Sequence, residues 1–304
     1  MKNQINQLKK SKNAVILAHY YTLPEVQDVA DFVGDSLALS RQAAATDADI
    51  ILFAGVHFMA ETAKILSPQK KVLLPDMEAG CSLADSCNAE DFELFLKNYP
   101  NYTVLSYINC SAKIKTLSDI IVTSGNALKI VNSLPKEEKI VFAPDRNLGA
   151  YINRETGREM VLWNGVCHVH DQLTADEIFK MKNKYKKAKV LAHPECKATV
   201  LALADFIGST AAMLGFTKND NALAYIVATE TGILYEMQKQ NPNKQFYFVN
   251  NPETCSCNNC EYMKLNTLEK IHHALLTESP EIFLEEEIIN KALKPIQKML
   301  MFNK

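Results

Sequence analysis

The chain has 304 residues, of which 47% are apolar and 22% charged, and its formal net charge at pH 7 is −2. This composition is typical of a globular protein, and the interspersed acids and bases indicate neither a nucleic-acid face nor a membrane surface patch. We expect no membrane span, because no apolar run approaches roughly 18 residues. The polar start Met1-Lys2-Asn3-Gln4 lacks the apolar core of a signal peptide, so we expect a cytoplasmic protein.

In chain order, the same succession of elements is predicted three times. An amphipathic helix comes first, over residues 3–11, 90–97 and 175–184. A short apolar strand follows, starting near residues 14, 103 and 188. Three more strands alternate with helices, at 32–33, 50–53 and 71–74, then 120–122, 139–142 and 159–162, then 206–207, 224–227 and 245–249. Continuous apolar runs of this length, separated by helices, indicate parallel strands covered on both faces.

Equal spacings show that these segments are copies of one unit. The intervals from His19 to Ser36, from Tyr107 to Ser124 and from His193 to Thr210 are all 17 residues. The copies follow one another at 88 and then 86 residues. We therefore predict an α/β protein of three homologous αβα domains, arranged around a pseudo-threefold axis with the active site at the centre. The predicted domains are 1–87, 88–172 and 173–304.

The third domain is predicted to carry a helical extension over about 266–304. One helix begins at Asn266-Thr267-Leu268-Glu269, and another is expected over 282–301, interrupted at Pro295. The acidic run 285–287 is interpreted as a solvated helix face rather than a site. His272 and His273 are expected at the surface.

Eight cysteines are expected to stay reduced in the cytosol. Three of them follow the fourth strand of each copy, Cys81, Cys167 and Cys260, with separations of 86 and 93 residues. Around a threefold axis their loops would converge, and three thiolates suit a [4Fe–4S] cluster with one iron open to substrate. Zinc would favour a fourth ligand or His and carboxylate. The run 255–260, taken alone, could also be a zinc hook or a redox pair.

Three of the other five cysteines, Cys87, Cys110 and Cys196, are predicted to be small buried apolar residues. Polar side chains are predicted at the end of each first strand: His19 with Tyr21, Tyr107 with Asn109, and His193 with Glu195. Hydroxyls at Ser36, Ser124 and the Ser209/Thr210 pair are placed to cap helices, whose N-termini attract anions. Such a pocket suits a small substrate with several carboxylates or a phosphate. The absence of Walker and GxGxxG loops argues against a bound nucleotide.

Several runs of the sequence closely resemble motifs of the quinolinate synthase family. They are residues 19–36, 55–66, 144–149, 193–196 and 263–268, and the resemblance extends over essentially the whole chain. It implies condensation of iminoaspartate with dihydroxyacetone phosphate, giving quinolinate, phosphate and two waters in NAD biosynthesis. It also implies a [4Fe–4S] cluster on Cys81, Cys167 and Cys260, whose free iron acts as a Lewis acid. A functional link to the enzyme that supplies iminoaspartate follows.

By position in the family motifs, the resemblance also implies roles for individual residues. Glu195 is expected to be the principal base, with Tyr21, His193 and Tyr107 assisting proton transfer. Substrate binding is expected from His19, Ser36, Tyr107, Asn109, Ser124, His193, Glu195, Ser209 and Thr210. His170 matches the family pattern without an assigned role.

The last cysteine motif departs from the family. It reads CxCxxC, and the spacing to Met263 and Asn266 favours Cys260 as the ligand, which leaves Cys255 and Cys257 open. Two other functions compete with the family reading. One is a different three-cysteine [4Fe–4S] dehydratase or reductive dehydroxylase. The other is a cluster-based redox sensor, which would need a partner surface rather than a small-molecule pocket.

Overall fold

The computed structural model describes residues 1–249 and 258–302, and it contains three sheets of four parallel strands. The strands are β1 (Ala14–His19), β2 (Phe32–Gly34), β3 (Ile50–Ala54), β4 (Lys71–Leu73), β5 (Thr103–Tyr107), β6 (Ile120–Val122), β7 (Ile140–Ala143), β8 (Val161–Leu162), β9 (Lys189–Ala192), β10 (Phe206–Ile207), β11 (Ala224–Ala228) and β12 (Gln245–Phe248). Their orders are β2-β1-β3-β4, β6-β5-β7-β8 and β10-β9-β11-β12. The predicted α/β class with parallel sheets is confirmed.

Helices connect the strands within each unit. They are α1 (Lys2–Ser11), α2 (Pro24–Val29), α3 (Ser36–Ala45), α4 (His57–Leu66), α5 (Ser82–Asp85), α6 (Ala89–Leu96), α7 (Ala112–Thr116), α8 (Ala127–Ser133), α9 (Arg146–Thr156), α10 (His168–Asp171), α11 (Ala175–Lys184), α12 (Ala198–Leu201), α13 (Thr210–Asn219), α14 (Ile233–Gln240) and α15 (Glu261–Lys264). Alternate residues of β1 pack into different apolar clusters, Leu17 with α3 and α4, and Ile16 with α1 and α2. The first sheet is thus covered on both faces, as the unbroken apolar run predicts.

One pair of hydrogen bonds recurs in all three units and confirms the repeat. Asp31, Asp119 and Asp205 each precede the second strand. Their carboxylates accept the N–H of Ile16, Val104 and Val190 at 2.8, 2.8 and 2.7 Å. The N–H of each aspartate returns a bond to the carbonyl of the same partner. The bonds fix how the second strand enters the sheet, and the same side chain is needed in each copy.

The caps of two predicted helices differ from expectation. Asp35 caps α3, because its Oδ1 accepts the N–H of Ala38 at 3.0 Å, and Ser209 caps α13 by accepting from Ala212 at 3.3 Å. Ser36 and Thr210 are therefore the first helical residues and not the caps. Ser124 lies two residues before Asn126, the N-cap of α8. The prediction that hydroxyls cap these helices is confirmed for Ser209 and wrong for Ser36, Ser124 and Thr210.

The C-terminal extension contains α16 (Leu268–Thr277) and α17 (Glu286–Met301). Helix α16 begins within the predicted run 266–269, and Thr267 caps it, with its Oγ1 accepting from Lys270 at 3.4 Å. The expected interruption at Pro295 is wrong, because α17 continues through it. The lost hydrogen bond is offset by packing, since Pro295 and its neighbours on that face are buried. The acidic run 285–287 is exposed, His273 is exposed and His272 half-buried.

The extension follows the third unit in sequence but packs on the first two. Helix α16 contacts α1 and β3, and α17 contacts α7, β6 and α4. Between them, the N–H of Ile282 donates to Val72 at 2.8 Å, and the N–H of Leu74 donates to Pro280 at 3.2 Å. These bonds attach the segment 280–282 to the outer edge of the first sheet. One apolar cluster consequently joins the first unit, the second unit and α17.

Candidate active site

A cavity of about 70 Å³ is lined by residues from all three units. Nearly every predicted site residue faces it: His19, Tyr21, Ser36, Cys81, Tyr107, Asn109, Ser124, Cys167, His193, Glu195, Thr210 and Cys260. They converge because carboxyl ends of parallel strands meet at one edge of each sheet. His19 ends β1, Tyr107 ends β5, and His193 directly follows β9. Ser209 does not line the cavity, since its hydroxyl is engaged in capping α13.

The three cysteine loops share one local geometry. Each cysteine immediately precedes a helix of four residues, α5, α10 or α15. In each loop the carbonyl two residues before the cysteine accepts an N–H from the turn after the third strand. The donors are His57 to Ala79 at 2.7 Å, Arg146 to Gly165 at 2.9 Å and Thr231 to Asn258 at 3.0 Å. The three copies in the sequence therefore support their cysteine loops with equivalent hydrogen bonds.

Without a bound cation, burial keeps the three thiols of the cavity protonated at neutral pH. Burial raises the pKa of Cys81 to about 12 and that of Cys260 to about 11, and it also raises the pKa of Cys167. Thiolates at Cys260 and Cys81 raise the pKa of Cys81 and Cys167 further. At neutral pH, three such sulfurs are thiolates when a cation compensates them. A cluster with three sulfur ligands fits this donor set.

Glu195 lies at the centre of a buried polar network. Its Oε2 is 2.6 Å from Nδ1 of His170 and 3.7 Å from Nδ1 of His193, and the two imidazoles stack at 4.7 Å. Burial favours the neutral acid, but the imidazole of His170 at 2.6 Å and the hydroxyl of Tyr107 outweigh it. Together they hold the pKa of Glu195 well below its usual range. Its Oε1 has no hydrogen-bond partner in the described protein, so it is free to accept a proton from a ligand.

Burial sets the protonation state of four other groups that line the cavity. Burial lowers the pKa of His19 and His193 to about 3. Burial also raises the pKa of Tyr21 and Tyr107 well above 10, so both hydroxyls remain proton donors at pH 7. The buried Oδ1 of Asn109 lacks a partner in the described residues, which leaves an acceptor for a bound molecule. A carboxylate, neutral imidazoles and protonated phenols form a site that can move protons.

Sequence reasoning missed Thr229 and left His170 without a place. Thr229 Oγ1 is 2.9 Å from the hydroxyl of Tyr21 and 2.9 Å from Nε2 of His170. A chain of polar contacts thus runs from Tyr21 through Thr229 and His170 to Glu195. Thr229 directly follows β11, the third strand of its unit. Its position at the carboxyl end of that strand is the feature from which a site residue could have been predicted.

Two further observations concern the remaining cysteines and an alternative metal site. Cys87, Cys110 and Cys196 are buried, as predicted, while Cys255 and Cys257 lie outside the described residues. Separately, ligand atoms of Cys167, His170 and Glu195 lie within 4.8 Å of one another and could hold a single ion. Nδ1 of His170 is 3.3 Å from Cys167 Sγ, so within the protein these groups already contact each other.

Three similar α/β units contribute side chains to one cavity, as in an enzyme whose site is assembled from a repeat. Comparison with known proteins identifies which enzyme family this is. The family model described as "NadA: Quinolinate synthetase A protein" matches residues 3–301, and the chain belongs to that family.

Close relatives agree with this assignment. The chain is 57% identical to the quinolinate synthase of Synechocystis sp. over 296 residues, which cover 97% of the chain and 93% of the relative. It is 55% identical to the quinolinate synthase of Chloroherpeton thalassium over 302 residues, covering 99% and 94%. In the described part of the chain, no helix combines the length and apolarity that crossing a bilayer requires.

Proposed function

We propose that this enzyme condenses iminoaspartate with dihydroxyacetone phosphate to form quinolinate, releasing phosphate and two waters, in NAD biosynthesis. The support is the family membership together with a cavity that collects one cysteine and one set of polar residues from each unit. In the cell the enzyme acts in the cytoplasm and depends on the enzyme that supplies iminoaspartate, a reactive compound that hydrolyses in water.

Cys81, Cys167 and Cys260 would hold a [4Fe–4S] cluster with one iron lacking a protein ligand. When bound, the cluster supplies a Lewis acid that polarises a substrate oxygen. The equivalent support of the three loops favours this assignment over a single ion on Cys167, His170 and Glu195. A single ion on those three residues would leave Cys81 and Cys260, which also line the cavity, without a metal to bind.

Glu195 is proposed as the base that removes protons from the condensing substrates. Its carboxylate is ionised at neutral pH, and its unpartnered Oε1 can accept a proton directly. Tyr21, His193 and Tyr107 would return protons to leaving oxygens. The chain through Thr229 and His170 connects Tyr21 with Glu195, so a proton taken at one end can be supplied at the other.

Substrate carboxylates and phosphate would be bound by hydroxyls and by the amide of Asn109. Ser36 and Thr210 are the first residues of α3 and α13, so the free N–H groups of those helices accompany their hydroxyls. Both helices have ten residues, enough for a helix dipole to favour an anion. Ser124 lies in the corresponding turn of the second unit, and His19 also lines the cavity.

The observation that carries the proposal is the convergence of three equivalent cysteine loops on the cavity of Glu195. The test is to purify the protein without oxygen, count iron and sulfide, and assay quinolinate from the two substrates. We expect a brown protein with about four irons per chain and turnover. Another three-cysteine dehydratase would be brown yet make no quinolinate, a redox sensor would bind neither substrate, and a single-ion site would contain one metal.

A further inference from the structure

Two buried carboxylates that the proposed chemistry does not use contact the cysteine loops. Oδ2 of Asp145 accepts the N–H of Cys167 at 3.2 Å, and Oε1 of Glu230 accepts the N–H of Cys260 at 3.0 Å. Both side chains are almost fully buried. They occupy the same place in their units, two residues after the third strand, β7 or β11.

Each carboxylate divides its two oxygens between its own turn and the cysteine loop. Oδ1 of Asp145 accepts the N–H of Leu148 at 2.7 Å and so caps α9. Oε2 of Glu230 accepts the N–H of Gly232 at 2.6 Å, while Lys264 lies 2.9 Å from Oε1. A carboxylate is the side chain suited to this task, since it accepts hydrogen bonds on both oxygens and donates none.

The first unit differs at this position. Val56 stands two residues after β3, and its side chain has no acceptor to offer the loop of Cys81. That loop keeps the backbone bond from His57 to Ala79 common to all three units. The turn is held in addition by Asn266, whose Nδ2 donates to Gly55 at 2.8 Å and to Met263, three residues beyond Cys260, at 3.1 Å.

We propose that Asp145 and Glu230 are positioning residues that set the loops of Cys167 and Cys260 before metal binds. A fixed N–H orients the residue that carries the sulfur, so both thiols face the cavity in the metal-free protein. The inference rests on the proposed cluster. Residues that support metal ligands in this way typically change metal affinity about 10- to 100-fold when replaced.

The variants Asp145→Asn and Glu230→Gln preserve volume but present one acceptor oxygen where two are needed. Each must lose either the bond to its own turn or the bond to its cysteine loop. Thr174→Ala is the matched control, because Thr174 caps α11 in a capping box that lies outside the cavity. It removes a helix cap without touching a cysteine loop.

The first measurement is iron release from the anaerobic holoenzyme to bathophenanthroline disulfonate. We expect release to be about 10- to 100-fold faster in Asp145→Asn and Glu230→Gln and unchanged in Thr174→Ala. The second is hydrogen exchange by mass spectrometry on the metal-free protein. Asp145→Asn should speed exchange in residues 165–171 and not in 258–264, and Glu230→Gln should show the reverse.

Wild-type rates of iron release in both variants would overturn the inference, as would faster exchange spread evenly over the chain. Failure of the wild-type protein to bind iron would instead disprove the proposed cluster. In that event the reciprocal exchange pattern of the metal-free variants still decides whether the two carboxylates hold the loops.

Discussion

Replacing Glu195 with Gln tests the proposed base with little change in shape. The amide keeps the volume of the side chain. Its oxygen can still accept a hydrogen bond from Nδ1 of His170, which lies 2.6 Å from the carboxylate in the wild-type protein. The negative charge is lost. A hydrogen bond to a charged group contributes about 1.5–3 kcal/mol, so we expect the free energy of unfolding to fall by about 2 kcal/mol.

The effect on the rate should be larger than the effect on stability. General base catalysis contributes about 10²- to 10⁴-fold, which corresponds to roughly 3–5 kcal/mol of activation free energy. Quinolinate formation without oxygen measures the rate, iron analysis measures the metal content, and denaturant titration measures stability. Glu177→Gln is the control, because Glu177 is a buried carboxylate of the α11 capping box and does not line the cavity.

A near-normal rate in Glu195→Gln with full iron content would refute the assignment of the base. Loss of iron together with the rate would contradict it differently, because it would place Glu195 among the metal ligands with Cys167 and His170. The expected result is full iron, a fold close to wild type and a rate lowered at least about 100-fold.

Three other outcomes are expected. Replacing any one of the three proposed cluster cysteines with Ala should abolish brown colour and turnover, whereas Cys196→Ala, at a buried cysteine outside the cavity, should keep both; an iron-replete cysteine variant would remove that residue from the ligand set. Acid should destabilise the metal-free protein below about pH 6.5, because burial lowers the pKa of His19 to about 3 and the unfolded chain therefore binds more protons between these values. The stability-versus-pH slope from this residue, up to about 1.4 kcal/mol per pH unit, should disappear in His19→Gln, and an unchanged slope would contradict the reasoning. Lys264→Met should lower the free energy of unfolding by about 3 kcal/mol, since it leaves Glu230 buried without its cation, whereas Lys291→Met, at an exposed pair, should cost less than about 0.5 kcal/mol; equal effects in a denaturation experiment would refute the distinction.

The repeat made most of the fold and site predictable. Equal spacings in the three copies predicted that His19, Tyr107 and His193 lie at equivalent strand ends, because each is 17 residues from its matched hydroxyl. The apolar runs predicted the parallel sheets for a different reason, because strands covered on both faces are continuously apolar. Family motifs supplied the reaction, which geometry alone could not.

The predictions that failed depended either on a local choice between neighbouring caps or on contacts between residues distant in sequence. Ser36 was expected to cap α3, but Asp35, one position earlier, has the better acceptor, and a one-residue choice between caps is settled by backbone angles. Pro295 was expected to break α17, yet the apolar faces of the first two units bury it. Thr229 was missed because its partners, Tyr21 and His170, come from different units and meet only in the folded chain.

The attachment of residues 280–302 to the first two units affects how the protein is made. During synthesis, the edge of the first sheet and the apolar surface beneath α17 stay uncovered while some 200 further residues emerge from the ribosome. The half that is translated first is therefore among the last parts to be completed. Until residues 280–282 bind to it, that edge presents unpaired N–H and C=O groups with which another nascent chain can pair.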